Sequence, residues 1–235
     1  MKKRGNEPPA LAERRKRRTM NQSDTLKMWS DSGILIPTRT LYLGSISADS
    51  NDSETGVDYA MARQFEIGMR TLEYLGPRDP ITVIMNNPGG DYYHGMAIHD
   101  RIIDSPCDVT IKVYGYLMSM GPYILQAAKR RLLSRRATVM LHYGVASHEG
   151  NMIDHERSGE ETKRLRGVME DVLLDPMKRK DNDFTIEKLR EMLRNDHFMD
   201  AARAIKMGLA DGYTSTLPRT PKKPKLVPET NTASS

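Results

Sequence analysis

The sequence predicts an α/β fold with a largely parallel sheet and flanking helices. Strand and helix signals alternate along most of the 235 residues, a pattern that produces parallel sheets. The segment ITVIM at 81–85 forms a near-continuous apolar run, as expected of a strand covered on both faces. Ligands of such folds bind at the carboxyl ends of strands. Three candidates for a functional site follow predicted strands here: Pro88-Gly89-Gly90, Ser119 and His142.

The first half of the chain contains three predicted strands and two helices. The strand RTLYLGSI at 39–46 precedes a polar loop at 47–56, and DVTIKVYGYL at 108–117 follows ITVIM. A helix is predicted from about residue 57 to 75, where Gly76-Pro77 ends it. The apolar positions at helical spacing are Met61, Phe65, Met69 and Leu72 in this helix and Met96, Ile98, Ile102 and Ile103 in the next.

The second half continues the alternation and ends in helices. GPYILQAAKR at 121–130 predicts a helix after Ser119, and ATVML at 137–141 predicts a strand that ends at His142. A long charged helix covers roughly 151–178, with an amphipathic second half. Two further helices are predicted from TIEKLREML at 185–193 and DAARAIKMG at 200–208. In the second of these, Asp200 is suited to cap the N-terminus and Gly208 to end the helix.

The charge of the chain is concentrated at its two ends. The net charge is +5, but residues 1–18 contribute +6 and residues 218–235 contribute +3, which leaves −4 for the segment between them. We therefore divide the chain into a basic disordered arm (1–25), one folded domain (26–216) and a disordered tail rich in Pro, Lys, Ser and Thr (217–235). Nucleic-acid binding is disfavoured because the basic ends lack interleaved aromatic residues.

Several classes of protein are excluded by composition. The single cysteine, Cys107, forms no internal disulfide, and no run of about 20 apolar residues predicts a membrane span or membrane partner. The six histidines match no metal-ligand spacing, and HExxH is absent. We expect a cytoplasmic protein that binds neither a metal nor a cofactor.

The stretch GYLMSMGPY at 115–123 places one hydroxyl at a predicted strand-to-helix junction. Ser119 there is either a helix cap or a nucleophile. The nucleophile elbow G-x-S-x-G of α/β-hydrolases is absent, because Leu117 occupies the position of its first glycine, although Gly121 matches the second. His142 alone is compatible with a core histidine. Gly89-Gly90 is compatible with a simple turn, or with a backbone N–H that approaches a substrate oxygen.

Four blocks together resemble the ClpP family, the proteolytic subunits of ATP-dependent Clp proteases. The blocks are NNPGGDYYHGMAIHDRI (86–102), GYLMSMGPYILQAAKRR (115–131), TVMLH (138–142) and NDHFMDAARAIKMGLAD (195–211). They occur in the family's order, and the resemblance extends from about residue 35 to 211. Each block would be weak alone, but together they are specific.

The resemblance implies a Ser-His-Asp serine endopeptidase without a cofactor. By motif, Ser119 is the nucleophile, His142 the general base, and Asp196 the acid that orients the histidine. The backbone N–H groups of Gly90 and Met120 are the implied oxyanion hole.

The resemblance also implies an assembly and partners. A crotonase-like fold would form seven-membered rings, stacked in pairs around a chamber that admits unfolded polypeptides, for ATP-dependent proteolysis in protein quality control. The helix at 151–178 would be the protruding handle between rings, and an unfoldase ATPase of the AAA+ class would deliver substrates.

The chain departs from the family pattern at several positions. Tyr143-Gly144 replaces the family's Gln-Pro after the base, and Thr82 and Ile84 replace aromatic residues of the ATPase docking groove. These departures indicate a divergent, phage-type member. Three alternatives stay open: a catalytically silent ring subunit or scaffold, a phage head-maturation protease that acts without a conventional Clp ATPase, and an acyl-CoA enzyme of the crotonase superfamily. The intact triad argues against the first and third.

Overall fold

The computed structural model describes residues 21–45, 55–145, 147 and 149–215, which form one eight-stranded sheet and its helices. The strands are β1 (Ile34–Leu35), β2 (Thr40–Leu43), β3 (Ile81–Asn87), β4 (Val109–Met118), β5 (Arg130–Leu133), β6 (Thr138–Leu141), β7 (His197–Asp200) and β8 (Gly212–Tyr213). The helices are α1 (Gln22–Ser32), α2 (Tyr59–Leu75), α3 (Tyr92–Ile103), α4 (Gly121–Gln126), α5 (Met152–Lys180), α6 (Ile186–Leu193) and α7 (Ala201–Lys206), with a 3₁₀ turn at Ile36–Thr38.

The sheet is largely parallel, which confirms the predicted fold class. Its main path is β1-β2-β3-β4-β5-β8, in which only β1 is antiparallel to its neighbour. The ten-residue β4 pairs with β5 over its first half and with β6 over its end. The short β7 adds to β6 in the antiparallel sense. The end of β4 therefore lies in a small sub-sheet with β6 and β7.

The core lies mainly on one face of this sheet. Ile81, Val83 and Met85 of β3 are fully buried, whereas Thr82 and Ile84 on the opposite face are only half-buried. The expectation that this strand is covered on both faces is therefore wrong for the single chain. Successive strand residues point to opposite faces, and here only one of those faces is completely covered.

The predicted apolar face of α2 packs into the core. Phe65, Met69 and Leu72 are buried, as their helical spacing predicts. The helix begins at Tyr59 because the Asp58 side chain accepts a hydrogen bond from the Met61 N–H at 2.7 Å, which caps its first turn.

The predicted handle is a 29-residue helix, α5. It begins with a capping box in which Asn151 and Asp154 exchange side-chain to backbone hydrogen bonds. Its last turn is basic, which complements the negative end of the helix dipole. Near that end, Gly208 has φ +85°, and a Cβ there would lie 2.5 Å from the Pro176 carbonyl oxygen. Gly208 therefore both ends α7 and permits close packing against α5.

The predicted terminal boundaries fall close to the limits of the described residues. α1 begins at Gln22, four residues before the predicted start of the domain, because Asn21 caps it through the Ser23 N–H. The remainder of the predicted arm, the predicted tail and most of the polar loop at 47–56 lie outside the described residues. Among the helices that the structure describes, none has the length and apolar character needed to cross a bilayer.

Candidate active site

Ser119, His142 and Asp196 lie in one continuous hydrogen-bonded series. The Ser119 Oγ is 2.8 Å from the His142 Nε2, and the His142 Nδ1 is 2.8 Å from the Asp196 Oδ1. The imidazole is mostly shielded, with 22% of its side chain exposed, whereas 59% of the Asp196 side chain is exposed. A hydroxyl, an imidazole and a carboxylate in this order can transfer a proton from the oxygen to the ring and stabilise the resulting imidazolium.

The register of the sub-sheet explains how distant positions meet. β6 and β7 are antiparallel with Leu141 opposite His197, so the residue after β6 and the residue before β7 also face each other. Those two residues are His142 and Asp196. β4 runs parallel to β6 and ends beside it, and Ser119 is the first residue after β4. β7 was not predicted from the sequence, although it fixes the position of Asp196.

The backbone around Ser119 is irregular in two ways. One β3 residue, Asn86, faces three residues of β4 (114–116), and its Oδ1 accepts a hydrogen bond from the Tyr116 N–H at 3.0 Å. Such a bulge re-aims the end of a strand. Ser119 itself has φ +53°, a conformation that costs a non-glycine residue about 1–2 kcal/mol. Its N–H donates to the Met140 carbonyl at 3.0 Å, which anchors the turn.

Two backbone N–H groups beside Ser119 have no hydrogen-bond acceptor within the residues that the structure describes. One belongs to Met120, the residue after Ser119, and the other to Gly90. Gly89, the residue before Gly90, contacts the serine so closely that an added Cβ would lie 2.4 Å from the Ser119 Cβ. A bond from the Val57 N–H to the Gly89 carbonyl at 2.6 Å fixes this turn. Unbonded N–H groups next to a nucleophile can stabilise an oxyanion.

Asn87 is a positioning residue that was not among the site residues predicted from the sequence. It is fully buried, its Oδ1 accepts the Gly89 N–H at 2.8 Å, and its Nδ2 lies 3.6 Å from the Met61 Sδ. A buried amide that bonds the backbone two residues ahead forms an Asx turn. The sequence offers one signal for it, namely an asparagine directly before Pro-Gly-Gly at the end of an apolar strand.

A buried carboxylate connects the two segments next to His142 and Asp196. Glu170 of α5 is 7% exposed and accepts hydrogen bonds from the Tyr143 hydroxyl at 2.5 Å and from the Arg190 guanidinium at 2.9 and 3.1 Å. The Tyr143 N–H donates to the Leu193 carbonyl at 3.0 Å. The residue after His142 is thus bound both to α5 and to the end of α6, and α6 precedes Asp196.

The ionisation of this cluster follows from its contacts. The hydrogen bond from Arg190 lowers the pKa of Glu170 below its usual value of 4.5, against an opposing effect of burial. Burial, with the hydrogen bond to Glu170, raises the pKa of Tyr143 to about 12. Both groups therefore keep one charge state, carboxylate and neutral phenol, across the physiological pH range.

We expect Glu170→Gln to lower the free energy of unfolding at pH 7 by about 1–3 kcal/mol, the usual cost of losing a charged hydrogen-bond partner. Because the pKa of Glu170 is lower in the folded state than in the unfolded state, its stabilisation is complete above the unfolded pKa. It is lost as pH falls below about 4.5 through the folded pKa. Urea unfolding at pH 7 and at pH 3.5 measures both effects.

The matched control for that measurement is Glu160→Gln, an exposed carboxylate on the same helix. Wild type and the control should lose the same stability between the two pH values, and Glu170→Gln should lose less. Equal pH dependence in all three proteins would show that Glu170 does not stabilise the fold through its charge.

The described histidines other than His142 do not contribute to a cluster of metal-ligating side chains. Within the described ranges, no three His, Cys, Asp or Glu side chains are grouped in a way that could bind a metal ion. His99 instead contacts the neighbouring Asp100 at 2.9 Å.

Two comparisons with known proteins bear on this arrangement. The sequence profile of the family described as Clp protease matches residues 52–216, a range that includes all the site residues above. The chain is also 31% identical over 159 residues to the ATP-dependent Clp protease proteolytic subunit of Deinococcus radiodurans. That alignment covers 67% of this chain and 76% of the relative. The chain belongs to the Clp protease family, a family of serine peptidases.

Proposed function

We propose that the protein is a serine endopeptidase in which Ser119 is the nucleophile, His142 the general base and Asp196 its orienting acid. The observation that supports this most directly is the uninterrupted series of 2.8 Å contacts from the Ser119 Oγ through His142 to Asp196. The strained backbone at Ser119 is further support, because residues in sparsely populated conformations cluster at active sites.

In the proposed acylation step, the Ser119 Oγ attacks the carbonyl carbon of a peptide bond as its proton moves to the His142 Nε2. Asp196, at the His142 Nδ1, stabilises the imidazolium that forms. The N–H groups of Gly90 and Met120 bind the oxyanion of the tetrahedral intermediate. The C–N bond then breaks, and the leaving amine takes the proton from the His142 Nε2.

In the proposed deacylation step, water attacks the ester formed on Ser119. His142 takes the proton of that water and returns a proton to the Ser119 Oγ when the C–O bond breaks. The products are a carboxylic acid and an amine, and the enzyme is regenerated without a metal or cofactor.

We further propose that the chain assembles and acts as its relatives do. Members of the Clp protease family generally form rings and work with Clp ATPases. For this chain we propose seven-membered rings, stacked in pairs, with α5 as the handle and unfolded polypeptides as substrates. The exposed, charged first half of α5 is compatible with a polar contact between copies. The AAA+ partner and the cytoplasmic location belong to the same proposal.

The proposed nucleophile is tested by labelling the purified protein with a fluorophosphonate probe and mapping the adduct by peptide mass spectrometry. We expect the Ser119 Oγ to displace fluoride and form a bond to phosphorus, because His142 activates the hydroxyl. Ser119→Ala should give no adduct, and His142→Ala should give almost none.

The outcomes of this labelling separate the alternatives. An adduct on Ser119 that needs His142 supports the endopeptidase. Rings detected by light scattering without any adduct would instead favour a silent ring subunit or scaffold. An adduct and proteolysis in the absence of any ATPase would favour a protease of the head-maturation type.

A further inference from the structure

A pocket of about 540 Å³ lies beside the proposed general base. It is bounded by the two residues after His142, by the middle of α5, and by α6 with the residue that follows it. Tyr143 and Gly144 form one wall, and Arg194, two residues before Asp196, lies on another. The pocket therefore borders two of the three segments that provide the triad.

The pocket is strongly basic. Four basic side chains and one carboxylate line it, a net +3, although residues 19–217 together have a net charge of −4. The carboxylate, Glu170, is already bound to Arg190 and the Tyr143 hydroxyl. Lys163 and Arg166 have no ion pair with any residue that the structure describes. These two cations therefore remain available to an anionic ligand.

The walls of the pocket are fixed, which makes it a preformed site. Glu170 bonds Tyr143 to Arg190, and the Tyr143 N–H bonds the Leu193 carbonyl. The guanidinium carbon of Arg166 lies 4.9 Å from the centre of the Tyr143 ring, a cation–π contact that orients the cation.

The pocket also contains open space at Gly167, a glycine that lowers the stability of α5. Gly167 of α5 lines the pocket, and a Cβ there would meet no atom within 4 Å. Glycine inside a helix costs about 1 kcal/mol relative to alanine. The glycine next to Arg166 therefore leaves open space above the helix.

We propose that this pocket binds a carboxylate of the polypeptide substrate close to the scissile bond, so that the protease prefers acidic substrates there. The inference rests on the proposed function. Two sources share this chemistry, an Asp or Glu side chain and the carboxylate at the end of the substrate chain. Arg166 contacts the ring of Tyr143, the residue that follows His142, so a carboxylate bound in this pocket holds the neighbouring peptide bond near Ser119.

The test uses short quenched fluorescent peptides cleaved by the full-length protein. For each position that flanks the scissile bond, one pair of peptides carries either Glu or Gln there. A further pair carries either a free or an amidated C-terminus. We expect kcat/KM to be about tenfold higher for one acidic member than for its neutral partner, the scale of one charged hydrogen bond. The difference should shrink in 1 M salt, where the Debye length is only about 3 Å.

Two kinds of variant assign that preference to the pocket. The double variant Lys163→Gln/Arg166→Gln removes the free cations, and Gly167→Leu fills the space without changing charge. Both should bring the acidic-to-neutral ratio close to one. The controls are Lys178→Gln, an exposed lysine of α5 outside the pocket, and Gly159→Leu, a second α5 glycine with no atom near its Cβ. Both controls should keep the wild-type ratio.

The possible failures can be told apart. If fluorophosphonate labels Ser119 in the wild-type protein but the ratio is near one in every peptide pair, only the pocket proposal is overturned. If the ratio persists in the double variant, another site selects the carboxylate. A double variant that changes ring size but not the ratio would make the pocket a contact between copies, which also overturns the proposal. No labelling of the wild type would contradict the proposed function itself.

Discussion

We expect Ser119→Ala to lower kcat for a short fluorogenic peptide by about 10⁶-fold. His142→Ala and the double variant Ser119→Ala/His142→Ala should each lower it by the same factor. Ser119, His142 and Asp196 form one hydrogen-bonded series through two 2.8 Å contacts, along which we propose that the proton moves. Once the oxygen or the base is missing, the rest of the series has nothing to act on. Losses in such a unit are therefore not additive.

A smaller loss is expected for Asp196→Asn, about 10³-fold. Where the orienting acid is buried, the same change costs about 10⁴-fold because the amide stabilises the wrong histidine tautomer. Asp196 is 59% exposed, so water already solvates part of its charge, and water can partly replace it beside the imidazolium. The remaining loss comes from the tautomer that the Asp196–His142 contact at 2.8 Å selects.

The measurement is single-substrate kinetics of the four variants across pH, with adduct formation at Ser119 as an independent readout. Asp200→Asn is the matched control, because Asp200 is an exposed aspartate at the other end of β7 that caps α7. Its kcat should stay close to wild type. An Asp196→Asn protein as active as the Asp200→Asn control would remove Asp196 from the triad. Additive losses in the double variant would mean that Ser119 and His142 act separately.

The elements that could be predicted from the sequence are those whose signal is local. The spacing of Phe65, Met69 and Leu72 identified the buried face of α2, and the predicted strand ending at His142 is β6. Both patterns repeat within a few residues, at the period of the element itself. The largely parallel sheet then followed from their alternation.

The parts that escaped prediction depend on contacts between distant residues. β7 has four residues and gains its strand conformation by pairing with β6, so Asp196 could be proposed only through the family resemblance. Tyr143, Glu170 and Arg190 come from three separate segments of the chain, 27 and 20 positions apart. No local period encodes such a cluster, and a buried glutamate in a charged helix looks like any solvated one.

Arg39 is another residue whose structural role depends on contacts with distant residues. The sequence predicts it at the start of a strand, but in the structure Arg39 is only 7% exposed and has φ +52°. Its guanidinium donates to the Leu72 carbonyl at 2.7 Å, to the Gly76 carbonyl at 3.0 Å, to the Asp79 carbonyl at 2.9 Å and to the Pro80 carbonyl at 3.2 Å. One side chain thus satisfies the end of α2 and the loop that leads to β3.

Arg39→Ala is expected to lower the free energy of unfolding by about 3–4 kcal/mol, which is among the larger effects of single substitutions. The alanine leaves several carbonyl oxygens without a donor in a place where each unmet group costs about 1–3 kcal/mol, and partial relaxation keeps the total below their sum. Urea unfolding measures the change.

Arg39→Lys separates geometry from charge at this position. An ammonium is a point donor and cannot reproduce the planar fork that bonds four carbonyls in different directions. We therefore expect lysine to recover less than half of the loss. Arg70→Ala, an arginine of α2 whose side chain is 74% exposed, should change stability by no more than about 0.5 kcal/mol. If lysine restored full stability, charge alone would explain Arg39, and the four-carbonyl geometry would not be what stabilises the junction between α2 and β3.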